Sequence, residues 1–232
     1  MANTLVPVQM HKPTGRAKRM TSLDQYDTVF LVDDSRGMKS HWQHVESALL
    51  TLAAAVANRN GGGVGLRFLN SDEVVKKTEV GQDLKRALSK VQPKGAAVVG
   101  DGLKTLMEEY FDDVQAALKK SANDFFAKKA LNVIVLTTGE FSEDPEETVG
   151  EIRPTLAKLN CYTVPEGVER RVGIQFVQLG SDPEAPQTLK TLDDQFVNED
   201  VFDTTQWDES ADPKVVYKIL FGAIDDKVDE FF

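Results

Sequence analysis

The residues best suited to chemistry stand at the end of an apolar run near the start of the chain. The run "TVFLVD" is rich in β-branched and large apolar residues, and Asp34, Ser35 and Arg36 follow its final Asp33. Such a run predicts a strand that is buried on both faces. Carboxylates and a hydroxyl at the end of a buried strand are typical of a Mg²⁺ site or of a catalytic site. Both kinds of site are therefore open at this loop.

Two histidines follow the loop at helical spacing. His41 and His44 are three residues apart, so they lie on one face of the predicted helix, close to the loop. Together with Arg36 they could form a cationic rim that takes an acidic group directly, because a guanidinium grips a carboxylate without any metal. The alternative is that Arg36 is an exposed loop charge and the histidines are surface polar residues. A metal-binding histidine pair is a weaker interpretation, since two histidines alone rarely define a site.

The elements that must position these residues alternate between strand and helix. Strand patterns cover residues 28–33, 64–70, 73–80, 131–138, 172–180 and 201–207. Helix patterns cover residues 41–59, 81–91, 100–121, 144–160, 182–196 and 212–232. We therefore predict an α/β fold with a doubly wound, mostly parallel central sheet and helices on both faces, and we expect Pro154 to bend or split its helix. Ligands of such sheets bind at the carboxyl ends of the strands, which selects the loops after Val32, Gln92 and Leu136.

The composition predicts one large domain. The chain has 232 residues and a formal net charge of −10, which argues against binding to nucleic acid or to an anionic membrane surface. Its single cysteine, Cys161, excludes an intramolecular disulfide, and no apolar run is long enough to span a membrane. We expect a cytoplasmic protein with a basic N-terminal arm at residues 1–22 and one domain at residues 23–232.

The order of the loops resembles that of a von Willebrand factor A (vWA) domain. "DTVFLVDDSRGM" resembles the first strand and metal loop of that family, where the loop reads Asp-x-Ser-x-Ser, and "GVGLRFLNSD" resembles the second strand. "VIVLTTGEFSED" resembles the strand that bears a metal-site aspartate, and "VGIQFVQLGSDPEAPQTLKTLDDQF" is typical of stand-alone fungal members. The resemblance covers residues 24–232 and implies a Rossmann-like fold.

The resemblance also implies a degenerate metal-ion-dependent adhesion site. In the family, an aspartate and two serines of the first loop, a threonine of the second and an aspartate of the third hold Mg²⁺ or Mn²⁺. Asp33 and Ser35 match the first two ligands, but the others fall on Gly37, on Ala97 (or on Ala96 if the loop shifts by one) and on Thr138. Magnesium favours carboxylates and dehydrates reluctantly, so we expect the remnant of Asp33, Ser35 and Thr138 to bind Mg²⁺ or Mn²⁺ weakly at most, with no other cofactor.

Three further acids lie near these loops. Asp34, Asp101 and Glu140 could form a different site, although the simpler interpretation is that they are solvated loop charges.

Two functions follow from this site. The first is a non-catalytic interaction module that binds a protein or a small acidic ligand through the strand-end loops, as the family mostly does. The candidate ligand-binding residues are Arg36, His41, His44, Ala97, Val98 and Thr138. We favour this function because the sequence has no nucleophile elbow, no phosphate-binding loop and no zinc spacing. The partner and the oligomeric state are not given by the sequence.

The second function is a cofactor-free enzyme or a small-molecule-binding protein, such as a fungal biosynthetic isomerase or cyclase. Small and apolar residues at the lost ligand positions would make an apolar cleft, which small ligands favour. The polar groups of such a cleft would be Asp33, Ser35, Arg36, His41 and Thr138. A closed pocket lined by Val98, Val99 and Trp42 would favour this second function over the first.

Overall fold

A single six-stranded sheet organises the molecule. The computed structural model describes residues 23–60, 63–194 and 201–228, so the predicted arm at residues 1–22 and the last four residues lie outside it. The strands are β1 Tyr26–Val32, β2 Val64–Phe68, β3 Val75–Thr78, β4 Ala130–Thr137, β5 Val172–Gln178 and β6 Phe202–Gln206. Their order is β3-β2-β1-β4-β5-β6, and only β3 pairs antiparallel to its neighbour. The predicted mostly parallel α/β sheet is confirmed.

Helices cover both faces of the sheet. They are α1 Trp42–Asn60, α2 Gly81–Lys90, α3 Val99–Lys120, α4 Ala122–Ala127, α5 Pro145–Asn160, α6 Ala185–Asp194 and α7 Pro213–Phe221. One core joins the sheet to α1, α2 and α7, and we call this side the α1 face. A second core joins the sheet to α3, α4, α5 and α6, and we call this side the α3 face. Within the described ranges, no helix is both long enough and apolar enough to span a bilayer.

Alternation along each strand divides the apolar residues between the two cores. Phe30 and Val32 of β1 belong to the core of the α1 face, and Leu31 between them belongs to the core of the α3 face. All eight residues of β4 are buried, because that strand has a neighbour on each side and helices above and below. This burial explains the largely apolar run at residues 131–138, whose polar members Asn132, Thr137 and Thr138 are buried as well.

Some helix boundaries differ from the sequence prediction. Helix α4 was not predicted; it begins where Ser121 takes extended backbone after α3 and accepts a hydrogen bond from the Asp124 backbone N–H. Of the bend or split expected at Pro154, the split is wrong: α5 continues through Pro154, because buried Ile152 and Leu156 anchor the helix on both sides. The last helix ends at Phe221 and not at residue 232, because a 3₁₀ turn over Gly222–Ile224 follows it.

Candidate functional site

The loops at the carboxyl ends of β1 and β4, together with the loop before α3, form the upper edge of the molecule. We call residues 33–41, 91–98 and 138–144 the first, second and third crest loops. A 3₁₀ helix over Arg36–His41 closes the first loop and leads directly into α1. The parallel pairing of β1 with β4 brings the first and third loops side by side.

Asp33, which begins the first crest loop, is completely buried and fully engaged with the protein. Its Oδ1 accepts a hydrogen bond from the Ser35 backbone N–H at 2.9 Å, and its Oδ2 accepts one from the Thr137 hydroxyl at 2.8 Å. Burial raises the pKa of Asp33 above its ordinary value, although the hydrogen bonds from Ser35 and Thr137 oppose that shift. Both carboxylate oxygens therefore have donors within the protein.

Asp34 is also completely buried, which corrects its interpretation as a solvated loop charge. Its Oδ1 accepts hydrogen bonds from the Asn70 backbone N–H at 2.7 Å and from Asn70 Nδ2 at 3.2 Å. Its Oδ2 has no hydrogen-bond partner within the described residues, and burial raises the pKa of the carboxyl. Asp101 and Glu140 are exposed, as that interpretation expects. Asp34 therefore joins the first crest loop to the end of β2.

Direct hydrogen bonds link all three crest loops. The Lys94 backbone N–H donates to the Asp34 carbonyl at 2.7 Å, and the Arg36 N–H donates to the Gly95 carbonyl at 3.3 Å. The second and third loops are joined by Ala97 and Ser142, whose backbone N–H groups donate respectively to the Ser142 hydroxyl and the Ala97 carbonyl, each at 3.0 Å. The loops are therefore tied to one another by groups of the protein itself.

Glu143 strengthens the link between the second and third loops. Its Oε1 accepts hydrogen bonds from the Gly100 backbone N–H at 2.5 Å and from the Thr148 hydroxyl at 2.7 Å. Gly100 lies in the first turn of α3, where a negative charge is favoured by the free N–H groups of the helix. One carboxylate thus holds the starts of α3 and α5 together.

A pair of carboxyl groups connects the third crest loop to the loop after β5. Glu140 donates a hydrogen bond to Asp182, and this bond is the main reason that the pKa of Glu140 is raised. The pKa of Asp182 is lowered, mainly because the Glu184 and Ala185 backbone N–H groups donate to its Oδ1 at 2.7 and 3.2 Å. The Asp182 side chain therefore disfavours the ionised form of Glu140 and links the third crest loop to the loop after β5.

The two histidine rings lie side by side, with centroids 5.7 Å apart, and each has contacts within the protein. The His44 Nε2 lies 3.2 Å from Glu209 Oε1, so this ring is turned towards the loop after β6. The His41 ring packs against Gly180, where an added Cβ would lie 2.6 Å from its Cε1 atom. Arg36 is exposed, and no described residue forms an ion pair with it. Of these three residues, Arg36 is the most exposed.

Comparison with known proteins decides the family. The model for the von Willebrand factor type A domain matches residues 27–213, which is most of the chain. The chain belongs to the von Willebrand factor type A domain family. No curated protein sequence is significantly similar to it.

Two solved structures support the vWA fold. Proximal thread matrix protein 1 from the mussel byssus superposes with a TM-score of 0.51 at 17% identity, over 84% of this chain and 46% of the mussel chain. The present chain thus spans about half the length of that structure. The SpRpn10 VWA domain superposes with a TM-score of 0.50 at 16% identity, over 84% of this chain and 93% of that domain. Identities this low establish the shared fold alone.

The positions that correspond to the family's metal ligands offer few free oxygen donors in this vWA domain. Gly37 has no side-chain oxygen, Ala97 is buried with only a methyl group, and the Thr138 hydroxyl is neutral and buried. Both oxygens of Asp33 already accept hydrogen bonds, and the carboxyl nearest to Gly37 belongs to Glu140. Throughout the residues that the structure describes, no group of three His, Cys, Asp or Glu side chains is arranged to hold a metal.

The residues expected to line a closed pocket lie on opposite faces of the sheet. Trp42 packs on Phe68 in the α1-face core, with ring centroids 6.4 Å apart, and Val99 is buried in the α3-face core. Val98 is partly buried between Ala97 and the start of α3. The pocket that would favour the small-molecule function is therefore not built from Val98, Val99 and Trp42.

Several residues that organise the crest were missed by sequence reasoning. They are Asn70, Thr137, Ser142, Glu143 and Asp182. Thr137 ends β4, and Asn70 lies two residues after the end of β2. The search for polar residues at strand ends that selected Asp33 could therefore also have found them. The others lie in loops without a recognisable pattern, and their partners are distant in the sequence.

Proposed function

We propose that this vWA domain is a non-catalytic interaction module whose crest loops stay in place without the metal ion of the family. The observation behind this proposal is the hydrogen-bond network among the three loops. Lys94 to Asp34 and Arg36 to Gly95 join the first and second loops, and Ala97 to Ser142 joins the second and third. Asp33 also ties the first loop to Thr137 at the end of β4. These hydrogen bonds already join the loops that a metal ion would bridge in other members of the family.

The proposed contact is an acidic group of a partner protein at Arg36. The backbone hydrogen bond from Arg36 to Gly95 places Arg36 beside the second crest loop, where Lys94 is also exposed. A guanidinium binds a carboxylate in a bidentate manner and needs no metal to do so. The charge that the family places on the ion would thus be supplied by this side chain.

A binding assay with an acidic probe tests both parts of the proposal. The probe is a fluorescein-labelled decapeptide rich in Asp and Glu, titrated with the full chain in excess EDTA and again in excess Mg²⁺. We expect equal affinity under both conditions, and about fivefold weaker binding to Arg36→Ala, since an exposed ion pair contributes at most ~1 kcal/mol.

Lys190→Ala is the matched control, because Lys190 is an exposed lysine on α6 outside the crest loops. It should leave the affinity within a factor of two. Binding that requires Mg²⁺ would contradict the metal-independent crest. An equal loss in the Arg36 and Lys190 variants would contradict the specific role of Arg36.

A further inference from the structure

On the α3 face, no helix of the described residues packs over β2 and β3. The core of that face contains residues of β1, β4, β5 and β6 but, among the described residues, none of β2 or β3. Val64, Leu66 and Phe68 of β2 point into the opposite core, so β2 presents only Gly65 and Arg67 on the α3 face. A groove therefore runs along the β2 and β3 edge of the sheet, between α3 and β3.

Two adjoining concavities make up this groove, which we call the α3 groove. The lower one has a volume of ≈ 750 Å³ and extends from Asp27 and Lys128 to Val74. The upper one has a volume of ≈ 330 Å³ and extends from Arg67 to Asp72 and Asp101. They share Arg67, Val74 and Leu106. The combined floor includes apolar Val29, Leu31, Leu69 and Leu106.

The charges of the α3 groove are not balanced. Ion pairs join Arg67 to Glu109, Lys77 to Asp27 and Lys128 to Asp113 across or along it. The acids left without an ion-pair partner among the described residues are Asp72, Asp101 and Asp112. Among the basic residues that line the groove, Lys76 likewise has no ion-pair partner among the described residues. The acidic side chains without an ion-pair partner therefore outnumber the basic ones. They are exposed, so a partner protein can reach them.

Two of these three acids lie along one side of α3. Asp101 and Asp112 are eleven residues apart on α3, which is about three helical turns or roughly 16 Å on the same side of the helix. Both line the groove, and the exposed Thr105 lies between them on the same rim. A segment lying parallel to α3 would meet both carboxylates and cover the apolar floor.

We propose that the α3 groove binds a basic, lysine- or arginine-rich amphipathic segment of a partner protein, laid along α3 with its cations at Asp101 and Asp112. This surface is separate from Arg36, so the proposal does not depend on the function proposed for the crest. Opposite charge and an apolar floor together select a segment that has both basic and apolar residues.

The test uses a fluorescein-labelled helical peptide with lysines at positions i, i+4, i+7 and i+11 and leucine or alanine elsewhere, titrated with the full chain. We expect saturable binding that weakens at least fivefold in Asp101→Asn/Asp112→Asn. The matched double variant Glu146→Gln/Glu166→Gln removes the same charge from exposed positions outside the groove and should change the affinity less than twofold. A probe with glutamate in place of lysine should not bind.

Three outcomes would overturn the proposal. Equal losses in the two double variants would show that only the net charge matters. Tighter probe binding after replacement of Lys12, Arg16, Lys18 and Arg19 by serine would assign the groove to the chain's own basic segment. Self-association seen by sedimentation velocity, and lost in Asp101→Asn/Asp112→Asn, would assign it to a second copy. Arg36→Ala should leave binding of this probe unchanged, so failure here remains distinct from failure at the crest.

Discussion

The crest loops and the α3 groove both contain several carboxylates, but they differ in burial and in partners. At the crest, Asp33 and Asp34 are 0% exposed and accept hydrogen bonds from loop and strand residues. In the groove, Asp72, Asp101 and Asp112 are exposed and lack ion-pair partners among the described residues. A buried carboxylate stabilises the loops that surround it, whereas an exposed one stays available for recognition. The same residue type therefore serves structure in one region and, as proposed, binding in the other.

The largest contrast should come from removing one acid in each region. Asp33→Ala leaves the Ser35 N–H and the Thr137 hydroxyl without their acceptor in a buried site. We expect a loss of about 3 kcal/mol in the free energy of unfolding, measured by urea denaturation. Asp112→Ala on the exposed side of α3 should stay within about 0.5 kcal/mol of the wild type. Equal effects would remove the distinction between the regions.

A pair of glycine substitutions tests how tightly each region is packed. Gly180 has φ +88°, and an added Cβ would lie 2.6 Å from the His41 ring, so Gly180→Ala should destabilise the protein by about 2 kcal/mol. Gly102 beside the groove lies inside α3, and its added Cβ would meet the movable end of Leu69. Since alanine is the better helix former, Gly102→Ala should lie within about 1 kcal/mol of the wild type. Thermal unfolding measures both losses of stability. A larger loss in Gly102→Ala than in Gly180→Ala would contradict the prediction.

The pH dependence of stability should report the burial of Asp34 in the crest. The pKa of Asp34 is raised by burial, so its folded-state pKa exceeds its unfolded-state value. The favourable contribution of Asp34 to the free energy of unfolding is therefore present at pH values below its unfolded-state pKa. It is lost as the pH rises through the folded-state pKa. Asp34→Asn should become more stable relative to wild type between pH 3 and pH 7, as followed by urea denaturation.

The smallest expected effect is that of divalent metal. If the dissociation constant for Mg²⁺ is 10 mM or weaker, 10 mM Mg²⁺ adds at most about 0.4 kcal/mol of stability. The melting temperature should thus shift by no more than about 2 °C between EDTA and 10 mM Mg²⁺. The variant Gly37→Ser/Ala97→Thr/Thr138→Asp restores the lost ligands of the family and should gain a Mg²⁺-dependent increase. A large shift in the wild type would show that the crest holds an ion.

The elements of the fold could be read from the sequence because they depend on local patterns. The apolar run at residues 131–138 coincides with β4 Ala130–Thr137, and the pattern at residues 73–80 contains the edge strand β3. Pro154 misled the prediction because its local cost is outweighed by packing on α3. Segments whose packing agrees with their local pattern were therefore predicted well.

The connections of the crest could not be predicted, because they join residues far apart in the chain. The pairing of Asp34 with Asn70 depends on the parallel alignment of β1 with β2. The orientation of His44 towards Glu209 depends on how the loop before α7 passes over α1. Helical spacing placed His41 and His44 on one face of a predicted helix, although His41 ends the 3₁₀ helix that precedes α1. The spacing gave no information about the acids that would meet them.

The edge strand β3 has a consequence for the protein in a crowded solution. It is only four residues long, and its exposed Lys76 and Lys77 stand on the last row of the sheet. A second molecule adding its own strand at this border would bring equal positive charges together and find little backbone to pair with. Growth of the sheet into larger aggregates is thereby discouraged at this border.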